Sequence, residues 1–247
     1  MIIAAYSVGQ YLVVFAAVFL SSIISAVAGF GFGLLSVPLI SLAIPLHPTV
    51  IVSSVVGLVT NMIQTYRYRR SANLMLVKRI CAGAVAGMPL GFVVYVVVSD
   101  RVLRLVLGGA VLLAVAALSR GLDLEHMGPG FDIGAGFLSG VLNTSISTNG
   151  PPLAFALQAR RVEPEPFRAT LSVVFTISGV VGMAMFAIGG KVHVDELTLS
   201  AVALPAMWLG LLVGFPLRHR FTPGRFRVLV LVLLVVAALA AIIKALV

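Results

Sequence analysis

Charge is scarce in this chain. Of its 247 residues, 10% are Asp, Glu, Lys or Arg, and the first 66 positions hold none of them. A soluble domain carries about 25%. Together with 60% hydrophobic residues and a mean hydropathy of +1.14, that shortage excludes a soluble enzyme. It also removes nucleic-acid binding as an account of the +9 net charge. Cysteine is nearly absent: Cys81 stands alone in an apolar run, so no disulfide can form within the chain, and a small buried hydrophobe is its ordinary role. The histidines, His47, His126, His193 and His219, sit at the edges of apolar runs without metal-ligand spacing, so neither a metal nor another cofactor is expected. Alternating segments of about ten residues are missing too, which argues against a membrane β-barrel.

What the chain has is a series of long uncharged intervals. Besides 1–66, the stretches 80–99, 133–157, 169–190, 197–217 and 228–243 are free of charge, and all eight acidic residues fall between them. A charge at the centre of a spanning helix costs roughly 2.5–3.5 kcal/mol on insertion scales, so this placement fits an all-α polytopic protein of the cell membrane, inner-membrane type, in contact with lipid. Residues 11–28 end in Ala26-Val27-Ala28, which resembles a signal-peptidase site. No Lys or Arg precedes them, however, and a similar segment recurs mid-chain. They read as structure rather than a signal peptide.

The recurrence extends further. Gly87 and Gly91 pair with Gly210 and Gly214 at an offset of 123, and Gly33–Leu39 pairs with Ser147–Leu153 at an offset of 114. The order is the same twice over: broken segment, span, basic loop, glycine-rich span, final span. This divides one membrane domain into repeats at 1–120 and 121–247. Each repeat opens oddly. In the first, the apolar run 10–28 meets Gly29-Phe30-Gly31-Phe32-Gly33 and then a short run, 34–44. In the second, 133–142 meets the polar stretch Asn143 to Asn149, then Gly150-Pro151-Pro152 and another short run. Runs of 10–14 residues suit re-entrant segments, clustered glycines interrupt a helix, and proline fits the first turn of a new one. Each odd segment is therefore expected to be a helical hairpin broken at its tip, with Pro38, Pro151 and Pro152 as structural residues.

The Lys/Arg distribution chooses a topology. If each odd segment crosses the membrane once, the eight resulting spans divide the 17 basic residues eight to nine, with no bias. If each dips in and returns, three full spans remain per repeat: 49–66, 80–98 and 102–118, then 168–189, 197–216 and 228–246. Only Arg101, Arg104, Lys191 and Lys244 then lie outside, and the other thirteen lie inside, as orientation by basic loops requires. Three spans per repeat invert the second repeat relative to the first. Both termini are then outside, and the two tips approach each other near the bilayer midplane.

Paired broken helices at corresponding places in two halves point to a transport site. Short helices starting near Gly33 and Gly150 would aim free N–H groups, and roughly half a positive charge each, at the tips. Glycines admit close approach to the backbone. That makes an anion site without a buried Lys or Arg. The candidate binding residues are Gly29, Gly31, Phe32, Gly33 and Ser36 at the first tip, and Asn143, Thr144, Ser145, Ser147, Thr148, Asn149 and Gly150 at the second. Asn61 and Gln64 stand on the next span, with Thr176 and Ser178 in the corresponding span of the second repeat. A helix-packing face for the glycines and an interfacial place for Asn61 and Gln64 are the plainer alternatives.

The Gly-x-Gly-x-Gly-x4-Pro-Leu pattern of Gly29–Leu39, its degenerate partner ending Gly150-Pro151-Pro152-Leu153, and the basic loop before a Gly-x3-Gly span resemble the TauE/SafE family of sulfite exporters and 4-toluene sulfonate uptake permeases. The resemblance covers about 10–245. It implies a small organic or sulfur-containing anion as substrate, such as sulfite, thiosulfate or a sulfonate. Ser147, Thr148 and Asn149 replace the glycines of the first tip, a departure from the glycine-rich form. The expected activity is secondary transport by alternating access of the inverted halves. An inside-negative potential drives an anion outward by about 2.3 kcal/mol per charge per 100 mV, which favours export. No carboxylate in the spans offers a proton relay, and Na+ or H+ as coupling ion stays open. An anion channel and a non-transporting scaffold are the alternatives. An enzyme is not expected, because the spans hold no carboxylate pair, metal cluster or nucleophile–base pair. Trp208, Gly210 and Gly214 fit either a homodimer face or an internal contact.

Overall fold

The computed structural model describes residues 6–120 and 127–217, together with helical positions 232, 235, 236, 239, 242, 243, 245 and 246. Most of the expected span 228–246, and the basic residues between it and 217, lie outside the described residues. Among the described residues every regular element is helical: α1 (Val8–Ala28), α2 (Phe32–Ile40), α3 (Leu46–Tyr68), α4 (Leu74–Val97), α5 (Asp100–Arg120), α6 (Pro129–Ile146), α7 (Gly150–Ala159), α8 (Pro164–Ile188) and α9 (Val194–Leu217). Five of these, α1, α3, α4, α8 and α9, are long and apolar enough to cross a membrane. The chain is an all-α polytopic membrane protein.

Local chemistry sets the helix ends. Ser7 and Gln10 form a reciprocal capping box at the start of α1. Asn73 accepts from the amides of Met75 and Leu76 at the start of α4. Prolines open α6, α7 and α8, where a missing N–H costs nothing.

Both odd segments turn back on themselves. Gln10, in the first turn of α1, donates from Nε2 to the carbonyl of Ala43, just beyond α2, at 3.0 Å. Arg160, at the end of α7, donates to the carbonyl of Met127, just before α6, at 2.7 Å. A single crossing would hold these pairs apart by the ~30 Å thickness of the hydrocarbon core. Each hairpin therefore enters and leaves at the same end.

Two charged clusters fix the hairpin bases. In the first, Arg104 of α5 donates to the carbonyls of Ser41 (2.7 Å) and Ile44 (3.3 Å), which follow α2. Asp100 accepts from the amides of Leu46 (2.6 Å) and His47 (3.2 Å) at the start of α3, and also bonds the His47 ring. In the second, the buried Asp132 of α6 receives Arg160 Nε at 2.7 Å and Arg79 of α4 at 3.5 Å.

In lipid, helices gain little by burying apolar surface against one another, so close packing through small residues must hold them together. A β-carbon added at Gly83, Gly87 or Gly91 of α4 would stand 2.0, 2.1 or 2.2 Å from the carbonyl oxygens of Ile133, Phe137 and Val141 of α6. Gly136 and Gly140 of α6 meet Ile80 and Ala84 of α4 in the same way. Residue numbers rise together along the two helices, so α4 and α6 run parallel in near backbone contact, close enough for Cα–H···O interactions. The same arrangement recurs between α9 and α1. Gly210 lies against Phe19 and Ser22, and Gly214 against Ile23 and Ala26. These glycines thus make an internal contact, which decides between the two roles open to them in the sequence. Helices α3 and α8 run antiparallel beside each other, with Gly179 against Leu58 and a Thr65–Thr176 hydrogen bond of 2.8 Å.

We expect Gly87→Ala to force α4 and α6 apart at a cost of about 1–3 kcal/mol, the usual range for overpacking. Gly109→Ala, with open space around it, should be neutral or slightly stabilising. Thermal unfolding of the two variants in detergent checks the contrast.

Candidate anion site between the helix tips

The two hairpin tips touch. Gly29 closes α1 at φ 82° and Gly31 caps α2 at φ 96°, both in the left-handed region that glycine tolerates. On the other side Ser147 closes α6 at φ 51°, and Asn149 precedes α7. Gly33 presses so closely on the Ser147 carbonyl that a β-carbon there would sit 1.9 Å from the oxygen. Across the contact, the corresponding point on Gly150 lies 3.4 Å from the Phe30 ring and 3.9 Å from the Gly31 nitrogen. The first turns of α2 and α7 begin at Phe32 and Gly150, within one residue of the starts expected from sequence.

Between the tips and the α3–α8 pair lies a partly open cavity. It offers about 40 Å3 to the centres of water-sized molecules, where a single water needs about 10–15 Å3. That is room for a small oxyanion. Among the described residues no Lys, Arg, His, Asp or Glu lines it, and the Arg168 stem packs on Gly29 at the first tip. At the first tip the earliest helix-paired amide is that of Leu35, which donates to the Gly31 carbonyl. The amides of Phe32, Gly33 and Leu34 precede it and have no helical partner. The second tip is poorer in backbone donors, because Pro151 and Pro152 carry none. Side chains replace them. Asn149 Nδ2 donates to Asn143 Oδ1 at 3.0 Å, and Asn143 Nδ2 donates to the Ser178 carbonyl at 3.2 Å. Ser54 of α3 donates to Ser147 Oγ at 3.1 Å, which leaves the Ser147 proton for the cavity. Asn61 of α3 lines the same space and makes no hydrogen bond to another described residue.

Of the residues named from sequence, Gly31, Phe32, Gly33, Asn61, Asn143, Ser147, Asn149 and Gly150 line the cavity. Six others stand back from it. Gly29 lies beneath the Arg168 stem. Ser36 bonds Ser53 at 2.6 Å, and Gln64 donates to Ser25 at 2.9 Å. Thr144 donates to the Met88 carbonyl at 2.7 Å, tying α6 to α4. Ser145 and Thr148 donate to the carbonyls of Val141 and Ile146. Short hydroxyl side chains find a local carbonyl before they reach a cavity. Of the corresponding pair on α8, Thr176 bonds Thr65, and the Ser178 hydroxyl is buried without a partner. The prolines hold the second halves of the hairpins, Pro38 inside α2 and Pro151 and Pro152 in the first turn of α7.

Sequence reasoning passed over Ser25, Ser53, Ser54, Phe175 and Phe186, which also face the cavity. A signal for them exists. Ser53, Gly57 and Asn61 recur at four-residue steps along α3, as do Phe175, Gly179 and Met183 along α8, each series marking one helix face.

Comparison with known proteins bears on what such a site serves. A family model described as "Sulfite exporter TauE/SafE" matches residues 14–241. The chain belongs to the TauE/SafE family. A relative from Cupriavidus necator, named "Probable sulfite/organosulfonate exporter TauE", is 26% identical over 209 residues, covering 81% of each chain. A second, from Comamonas testosteroni and named "Probable inner membrane transporter protein TsaS", is 33% identical over 116 residues, covering 45% of this chain and 48% of its own length. No solved structure matches the chain. The protein is thus a multi-pass membrane member of a transporter family.

Gly33→Ala tests the tip contact itself. The added methyl must displace the Ser147 carbonyl, so we expect loss of about 1–3 kcal/mol of stability together with loss of ligand-induced thermal shift. Gly130→Ala, in open space in the first turn of α6, should do neither.

Proposed function

We propose that this protein is a secondary transporter that exports a small sulfur-containing anion, sulfite or an organosulfonate, held between the two hairpin tips near the bilayer midplane. The observation that carries the reading is the convergence of the α2 and α7 N-termini on one cavity whose lining, among the described residues, has polar donors and no charged side chain. Two helix dipoles of roughly +0.5 charge each, together with free amides, favour an anion there. An uncharged lining keeps binding weak enough for release. The family description and the name of the Cupriavidus necator relative supply the substrate class.

The inverted-repeat reading, with halves at 1–120 and 121–247, has support in the packing. The second glycine-rich span of each half packs parallel to the first hairpin helix of the other, α4 on α6 and α9 on α1. Gly87 and Gly91 make one contact, and Gly210 and Gly214 make the other. With α2 and α7 at nine and ten residues, or about 14–15 Å, each return helix covers about half of the hydrocarbon core. In this reading the substrate stays at the tips while each hairpin moves with the glycine-rich span of the opposite half. Outward transport follows from the membrane potential acting on a negative charge. Both termini lie outside.

Binding is the direct test. Purified protein is challenged with sulfite, thiosulfate, sulfoacetate, taurine, acetate and chloride, with thermal stability as the readout and efflux from loaded proteoliposomes as the second. We expect one or two sulfur oxyanions to raise the melting temperature of the wild type. Asn61→Ala and Asn149→Ala should weaken that binding roughly 10–100-fold, the value of a hydrogen bond to a charged partner. If no anion stabilises the wild type, or if both variants respond as the wild type does, the tips are packing elements and the reading fails.

A further inference from the structure

The two hairpin bases do the same work with different chemistry. In the second, the carboxylate of Asp132 is held by Arg160 and Arg79, and its partners among the described residues include no histidine. In the first, the carboxylate of Asp100 faces His47 as well as Arg104, and histidine is the side chain that changes charge between about pH 5 and 8.

The His47 ring is bonded through both nitrogens, and both partners are acceptors. Nδ1 contacts Asp100 Oδ1, and Nε2 lies 2.9 Å from the Tyr95 carbonyl. A carbonyl only accepts, so Nε2 carries a hydrogen. An ionised carboxylate also only accepts, so Nδ1 must carry one as well, unless Asp100 holds the proton instead. In either assignment the His47–Asp100 pair holds one proton more than a neutral imidazole beside a carboxylate. The other polar and charged groups acting on the ring are few. Arg104 of α5 lies 3.5 Å from Asp100, Tyr95 of α4 stacks edge-on against the ring with its hydroxyl on the His47 carbonyl, and Lys191 between α8 and α9 opposes the imidazolium. The pair is about one-third exposed, so protons reach it from water. It also stands where movement matters. Asp100 caps α3, and Arg104 grips the carbonyls of Ser41 and Ile44 as the hairpin returns.

We propose that the His47–Asp100 pair is a proton-binding latch that holds the base of the first hairpin closed when protonated and loosens it when the proton leaves. Loss of the proton turns the Nδ1 lone pair towards the carboxylate, and that contact changes from attraction to repulsion. Because the closed base binds the proton more tightly than the open one, closure is favoured at low pH and lost as pH rises. The second base, built on arginines, stays latched over the same range. In the transport reading above, on which the role of the latch rests, one hairpin becomes sensitive to the pH of the side it faces while the other does not.

The test reads the latch without any substrate, so its outcome is separate from that of the anion reading. Ile44, buried under the Arg104 contact, is changed to Cys in a Cys81→Ser background. Maleimide labelling of the purified protein in nanodiscs, which expose both faces, is followed from pH 5.5 to 8.5. Leu42→Cys, exposed two residues away, corrects for the reactivity of the thiol. We expect the ratio of Ile44→Cys to Leu42→Cys labelling to rise roughly tenfold across the range, the factor that one unit of differential proton affinity carries. Adding His47→Gln should leave the ratio high and flat, and adding Arg79→Gln at the second base should leave the rise intact. The His47 ring nitrogens, followed by NMR in the protein without the added cysteines, should titrate within the same window. A flat ratio in the His47 protein, or an unchanged rise with His47→Gln, overturns the proposal.

Discussion

A backbone amide or carbonyl cannot be left bare in lipid. The cost is several kcal/mol for each group, and it restricts chains that cross a bilayer to helices and closed barrels. This chain breaks two of its helices, at Gly29–Gly31 and at Ser147–Asn149. The rest of the architecture can be read as what makes those breaks tolerable. The broken ends are turned towards each other, so that Gly33 covers the Ser147 carbonyl and Gly150 lies against Phe30. Helices α3 and α8 close the remaining side, α3 with Ser54 and Asn61 and α8 with Phe175 and Phe186. Parallel packing of α4 on α6 and α9 on α1 keeps each hairpin against a full span, in contact so close that only glycine fits. The amides at the start of α2 and the Asn61 carboxamide are left at the cavity, where a ligand can take them.

The two tips solve the same problem unequally. Glycine at 31 and 33 lets the first tip present its amides directly. The second carries prolines at 151 and 152, and its missing amides are replaced by the carboxamides of Asn143 and Asn149 and the hydroxyl of Ser147. Backbone donors are rigid and point along a helix axis. Carboxamides offer both a donor and an acceptor, and here they are oriented by each other and by the Ser178 carbonyl. An anion between them meets a fixed surface on one side and an adjustable one on the other. Phe175 and Phe186 border the same space, so an organic group attached to the anionic head would meet an apolar wall. The difference between the tips is a reason to look for substrate choice at the second.

Much of this arrangement was legible in the sequence, because lipid is a strict solvent. Charge-free intervals marked most helices of the described region, and Gly33 and Gly150 marked the starts of the two return helices to within one residue, while α6 runs on through Asn143 to Ile146. The matched glycines at 87, 91, 210 and 214 pointed to repeated close contacts, but not to their partners. Sequence spacing does not say that α4 packs on α6 of the other half rather than on a second copy of the chain. Side-chain direction was harder still. Thr144, Ser145 and Thr148 belong to the same polar run as Asn143, Ser147 and Asn149, yet their hydroxyls reach backbone carbonyls one turn back or next door. Asparagine, with a longer side chain and two kinds of polar atom, reaches across the gap. Length thus separates the two asparagines from their short neighbours, and Ser147 reaches the cavity by its place at the break itself.

The charges excluded from the apolar intervals were legible only as markers of topology. In the fold they have a second use. Arg104 and Arg160, counted on opposite sides of the membrane in the three-span topology, each secure the return of a hairpin to its own base, and each lies within reach of a carboxylate in its own half, Asp100 or Asp132. Placing these anchors at the hairpin bases keeps their charges away from membrane depth, and of the described cations only the stem of Arg168, on Gly29, is recorded against a tip. A fixed charge at the tip would bind an anion more tightly, but it would also oppose release on the far side. In the proposed transport reading, ionic contacts at the bases hold the hairpins while dipoles at the tips meet the anion, which separates stability from affinity. The bases can be strong while the site stays weak enough to empty.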